Sequence, residues 1–114
     1  MLSDHFRRSE FRCKCGCGQD TVDAELIAIL EKIRLQFGAP VHISSGNRCP
    51  EYNRSVGGAK NSQHLKSRAA DIQVKGVDPH EVQDWIDEWH VGGMGRYESF
   101  THIDTRNKRA RWGQ

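Results

Sequence analysis

In "TVDAELIAILEKIRLQFG", Leu26, Ile27, Ile29, Leu30, Ile33 and Phe37 recur at the spacing of one helical face. Asp23 stands where an N-cap acceptor belongs and Gly38 where a helix stops, so the pattern predicts a helix between them. After Pro40, "VHISS" alternates apolar and polar positions and reads as a strand, and "RAADIQV" reads as a second. Between them runs "GNRCPEYNRSVGGAKNSQH", rich in Gly, Asn and Ser, which reads as a long loop of the kind that often carries function. "DPHEVQDWIDEWH" predicts a second amphipathic helix, with Asp78 as cap, Pro79 at the first helical position and Val82, Trp85, Ile86 and Trp89 on one face. "GGMGRY", "SFTHIDTR" and "RARWG" read as short strands joined by turns, and in the opening "LSDHFRRSEF" Phe6 and Phe11 are placed to pin a short turn to a core. The order predicts an α+β domain: a small antiparallel sheet with helices packed on it.

Length and charge narrow the picture. A chain of 114 residues fits one domain, 1–114, with one core and one site. Seventeen basic and 15 acidic residues give a formal charge of +2, too even a balance to suggest a nucleic-acid partner. Only the tail "TRNKRARW" is locally basic; it reads as a solvated terminal strand, or as a weak contact for an anionic polymer. No apolar run approaches the ~18 residues that span a bilayer, and "MLSDHFRRSEFRC" lacks the apolar core of a secretory signal. The expectation is a monomer made in the cytoplasm, without membrane insertion.

Three of the four cysteines crowd into "CKCGCG": Cys13, Cys15 and Cys17, with Cys49 far along the chain. An extended chain holds i and i+2 side chains too far apart to bridge, and a structural zinc site usually wants Cys-x2-Cys or wider. Reduced thiols are therefore the expectation, with one bridge to Cys49, or a metal cluster, as the alternatives.

The stretch "SQHLKSRAAD" carries the candidate chemistry. His64 ends the long loop and Asp71 sits in the strand that begins at once, with the small Ala69 and Ala70 between them. A carboxylate flanked by Ala70 and Ile72 is costly to bury unless something positive sits beside it. A catalytic zinc takes three protein ligands and leaves a position open. His102 in "SFTHID" is the candidate third ligand. His90 is its rival, at a helix end where a capping role is the plainer reading. His42 reads as a solvent-facing or supporting strand residue, and His5 and His80 as surface residues.

"SGNRCPEYNRSVGGAKNSQHLKSRAADIQV", followed by "GGMGRYESFTHIDTRNKRARW", resembles the zinc D-Ala-D-Ala carboxypeptidases and peptidoglycan endopeptidases, in particular the compact single-domain kind found in phage endolysins. Ser62, His64, Ala69 and Asp71 match the family's Ser-x-His-x-x-Gly-x-Ala-x-Asp. The resemblance covers roughly residues 40 to 112 and implies a hedgehog/D-Ala-D-Ala peptidase-like fold with the site on the sheet. It implies that His64, Asp71 and His102 hold Zn2+, that Arg48 binds a scissile carbonyl or substrate carboxylate, and that Ser62 orients substrate. The substrate so implied is the peptide stem of peptidoglycan, cut by a carboxypeptidase or an endopeptidase, with a lysin reaching the wall through lesions made during phage lysis.

Two departures matter. The family's Gly is Ser67 here, which predicts strain in a turn that suits a residue without a Cβ. Relatives place the general base as a His two residues before the last ligand, or an acid three before it; here those positions are Phe100 and Ser99. Glu98 and Asp104 are the acidic candidates, and either also reads as a structural carboxylate, Asp104 by pairing to Arg106. His90 or His42 as base, or a site that is catalytically idle and only recognises wall peptides, complete the alternatives.

Overall fold

The computed structural model describes residues 2–113. A five-stranded sheet has the order β1-β2-β4-β3-β5, built from β1 (Val41–Ser45), β2 (Ala69–Val74), β3 (Gly93–Arg96), β4 (Thr101–Asp104) and β5 (Ala110–Gly113). The expected antiparallel pairing holds for β1 to β4, whereas β5 runs parallel to β3. The sheet is therefore mixed at that edge.

The helices α1 (Ala24–Phe37) and α3 (Pro79–Asp87) lie where the periodicity puts them. Asp23 accepts from the Leu26 N–H, and Gly38 closes α1 in the left-handed conformation. Asp78 caps α3 by accepting from the His80 N–H, with Pro79 in its first turn. Leu26, Leu30 and Ile33 of α1 and Val82 and Ile86 of α3 pack against Ile43, Ala70, Ile72, Met94 and Ile103 of the sheet, and Phe6 and Phe11 close the core from the N-terminal side. Burying side chains of this size contributes roughly 1.5–3 kcal/mol each before entropy is counted.

The long loop holds more structure than its composition suggests: α2 (Pro50–Ser55) and a 3₁₀ turn, Gln63–Lys66. Both are too short to leave a periodic signature. Cys49 and Pro50 mark the start of α2 as cap and first-turn proline. The basic tail is tied down as well, since Arg109 and Arg111 reach Asp87 of α3 at 2.8 and 2.6 Å.

Candidate functional site

Strand pairing brings two of the three candidate ligands together, because Asp71 on β2 lies directly opposite His102 on β4. Alternation along the strands sends Ala70, Ile72 and Ile103 into the core and leaves Asp71, His102 and Asp104 on the other face. His64 arrives from the 3₁₀ turn, where its own N–H donates to the capping Ser62 hydroxyl at 3.2 Å. Its Nε2 lies 3.2 Å from Asp71 Oδ1, and Nδ1 of His102 lies 2.9 Å from the same oxygen. The three residues are 2, 7 and 8% exposed in chain order, so little water reaches the groups between them.

The outer nitrogens of both rings fix which inner nitrogens carry a lone pair. His64 Nδ1 is 2.7 Å from the Gly46 carbonyl oxygen, which can only accept, so Nδ1 donates there. His102 Nε2 is 2.8 Å from Asp104 Oδ2 and donates likewise. With neutral rings, the lone pairs of His64 Nε2 and His102 Nδ1 then converge on a carboxylate oxygen. Three acceptors facing one another repel unless a cation or added protons lie between them. A tetrahedral zinc with ligand bonds of about 2.0–2.2 Å would set its ligand atoms about 3.4 Å apart. These lie within 4.8 Å of one another, so the residues fit such an ion, with both imidazoles oriented from behind.

Titration follows the same contacts. Burial raises the Asp71 carboxyl, but hydrogen bonds to His102 and His64 outweigh it and hold the group well below the ordinary carboxylate range. Burial likewise opposes the low pKa of Asp104, which is won by its bonds to His102 and Arg106. For His102, burial lowers the pKa, and the two carboxylates outweigh it and raise it.

An open cleft of about 630 Å3 lies over the three residues, bounded by Arg48, loop residues 56–63, Tyr97, Phe100 and Trp112. Arg48 spans its floor: Nη2 is 3.6 Å from Asp71 Oδ2, Nη1 donates to Asn53 at 3.2 Å and Nε to Ser45 at 3.4 Å. Glu51, three residues along the chain, is not among these contacts. A bulge between Ile43 and Ser45 turns the end of β1 beside Asp71, where Ser44 donates to the Asp71 carbonyl.

The two acidic candidates for a base lie elsewhere. Glu98 is exposed in the bend between β3 and β4 and does not line the cleft. Asp104 is wholly buried behind His102, gripped by both Nε and Nη2 of Arg106 at 2.8 and 2.7 Å and by the Gly93 N–H. Its alternative reading, pairing to Arg106, is what the structure shows. Asp71 is the sole carboxylate among the described residues lining the cleft. His90 faces away, donating from Nε2 to the Asp104 carbonyl at 2.8 Å, with its pKa lowered mainly by burial. His42 is exposed on β1.

Sequence reasoning missed the aromatic wall. Tyr97 and Phe100 stack at 4.3 Å and 8°, held by the buried Gln83 amide, which donates to both their carbonyls. The Trp112 ring lies 5.1 Å from that of His102, and its Nε1–H donates to the Tyr97 hydroxyl at 3.0 Å. Two glycines leave the room. A Cβ on Gly93 would stand 2.5 Å from the Asp104 carboxylate, and one on Gly95 would stand 2.4 Å from Trp112 Nε1. "GGMG" was the available signal, since glycine inside a strand marks a close approach. Ser67 does take the left-handed conformation, at φ 61°, and its hydroxyl bonds Thr21 and Asn47.

A sheet carrying a His–Asp–His cluster on the floor of a cleft defines a class, and the sequence places the chain in it. The model of the family described as Peptidase M15 matches residues 4–104, and the chain belongs to that family. It is 34% identical over 94 residues to "Probable peptidoglycan L,D-endopeptidase MepK" of Haemophilus influenzae (strain Rd), a match taking in 74% of this chain. The chain spans about half, 50%, of the length of that relative. Among the described residues no helix is long and apolar enough to cross a membrane.

Proposed function

We propose that this chain, taken as one unit over residues 1–114, is a zinc-dependent peptidase that hydrolyses an amide bond in the peptide stem of peptidoglycan. The observation that carries the metal is the convergence of two imidazole lone pairs and a carboxylate oxygen at the floor of an open cleft. Family membership and the similarity to a protein named as an L,D-endopeptidase support the substrate and favour internal cleavage over carboxypeptidase action. His64, Asp71 and His102 would hold the ion, and zinc so held supplies a Lewis acid and a source of hydroxide near neutral pH.

The chain's own residues do the rest. Asp104 and the Gly46 carbonyl keep the two rings in the ligating tautomer. Arg48, held by Asn53 and Ser45, presents its guanidinium to the carbonyl oxygen as negative charge develops there. The Tyr97 hydroxyl accepts from Trp112, which leaves its own proton free to donate to a substrate backbone or leaving group. Ser62 acts on substrate indirectly, by capping the turn that carries His64. Release through membrane lesions during phage lysis would bring such a peptidase to the wall.

One observation favours a second reading, a zinc-binding module that recognises wall peptides without cutting them: among the described residues the cleft offers no carboxylate besides Asp71 as proton acceptor. Incubation of the full chain with purified muropeptides, followed by mass spectrometry, separates the two. The peptidase gives cleaved stems that vanish with chelator and return with zinc, and the masses name the bond. Retention of uncut stems with stoichiometric zinc overturns the hydrolase reading.

A further inference from the structure

Away from the cleft, the fold gathers all four cysteines. Cys13, Cys15 and Cys17 lie in the segment between a 3₁₀ turn, Arg8–Phe11, and α1, and Cys49 caps α2 next to Arg48. The four Sγ atoms lie within 4.8 Å of one another, and Cys15 Sγ is 3.5 Å from both Cys13 Sγ and Cys49 Sγ. An extended segment would hold these thiols apart. Gly16 and Gly18 at φ 86° and 89°, with the Gly16 N–H donating to the Cys13 carbonyl and the Cys13 N–H to that of Gln19, coil the segment so that all three thiols face Cys49.

We propose that Cys13, Cys15, Cys17 and Cys49 bind a second zinc ion in an all-thiolate structural site. A tetrahedral site with Zn–S of about 2.3 Å sets its sulfurs about 3.8 Å apart, close to the 3.5 Å separations found here. A disulfide requires about 2.05 Å, which neither pair meets. Two backbone groups already point at sulfur as they would at a thiolate: the Cys49 N–H donates to Cys13 Sγ and the Tyr52 N–H to Cys49 Sγ, both at 3.4 Å. Cys13 is buried, while Cys15 and Cys17 are exposed and give the ion a way in. Binding exchanges four thiol protons for one zinc, with no change of oxidation state.

The clip would fasten the N-terminal segment to the start of α2. Arg48 is the next residue, and its N–H donates to the His64 carbonyl at 3.2 Å, so the ion braces the backbone that carries the cleft's guanidinium. None of the cysteines lines the cleft, so the two metal sites are separable.

The full chain, produced in zinc-supplemented medium, is assayed for metal content and then exchanged with cobalt. Occupied at both sites, it carries two zinc ions, and its cobalt form shows the thiolate-to-cobalt charge-transfer band that imidazole and carboxylate ligands cannot give. The exposed pair Cys15→Ser and Cys17→Ser abolishes that band and removes one zinc, whereas His64→Ala removes the other zinc and leaves the band. Wild-type protein without the band, with four freely reactive thiols or with the mass deficit of an oxidised pair, overturns the site whatever the cleft does.

Discussion

His102 sits between two carboxylates, with Nδ1 2.9 Å from Asp71 and Nε2 2.8 Å from Asp104. One ring nitrogen thus serves the cleft and the other is anchored in the protein, where Arg106 grips the anchoring carboxylate with two nitrogens. Asp104→Asn removes the charge and keeps the shape. Zinc affinity, measured by chelator competition, is expected to fall about 10–100-fold. Unchanged affinity would mean that packing alone orients the ring.

Glu98 and Arg48 are expected to behave oppositely. Glu98→Gln alters an exposed bend outside the cleft, so muropeptide turnover should stay within about twofold. Arg48→Ala, at matched zinc content, should lower kcat by about 100- to 1,000-fold. Arg48→Lys should recover little, because an ammonium lacks the fork that meets Asn53, Ser45 and a substrate oxygen together. A large loss at Glu98 would return it to candidacy as base.

Metal-free protein should be most stable near the ordinary imidazole pKa of about 6.5. His102 has a raised pKa, so its contribution is complete below about 6.5 and is lost as pH rises through the raised value. His90 has a lowered pKa, so its contribution is present above about 6.5 and is lost as pH falls through the lowered value. The depressed Asp71 and Asp104 add stability above their unfolded value of about 3.9, lost only in stronger acid. Zinc needs His102 without its second proton, so the zinc-induced rise in Tm should grow with pH. Melting curves from pH 4 to 9, with and without zinc, check both trends; a metal-free optimum well above neutrality would contradict the first.

Ser67 tests the turn beneath the site. Ser67→Ala keeps the left-handed backbone and loses the hydroxyl that bonds Thr21 and Asn47, whereas Ser67→Gly loses the same bonds and relieves the backbone. Urea unfolding should therefore find Ala less stable than Gly by about 1 kcal/mol, the left-handed cost less the extra chain entropy of glycine. Equal stability would show that the turn is not strained.

Gly95→Ala places a methyl group where Trp112 now packs. Turnover should fall while zinc content holds, since the aromatic wall moves and the ligands do not. Loss of metal along with activity would mean that the change reaches His102 itself.

By itself the sequence determined the helices at Ala24–Phe37 and Pro79–Asp87, because their caps and apolar spacing are local and repeat over several turns. It also determined the five strands, and the candidate ligands His64, Asp71 and His102, whose residue types and spacing carry the family's pattern. Tertiary structure alone decided what each carboxylate and thiol faces. Asp104 reads like a strand residue free to act in the cleft, and the register against Gly93 turns it into the anchor of His102. The cysteine spacing reads as wrong for the usual structural zinc site, whereas two left-handed glycines fold the segment so that its thiols lie near Cys49. The Tyr97–Phe100–Trp112 wall depends on the parallel pairing of the edge strand with β3, which no local pattern encodes. Periodicity reports which face is buried, whereas distances between chemically active atoms depend on strand register and on contacts many residues apart in the chain.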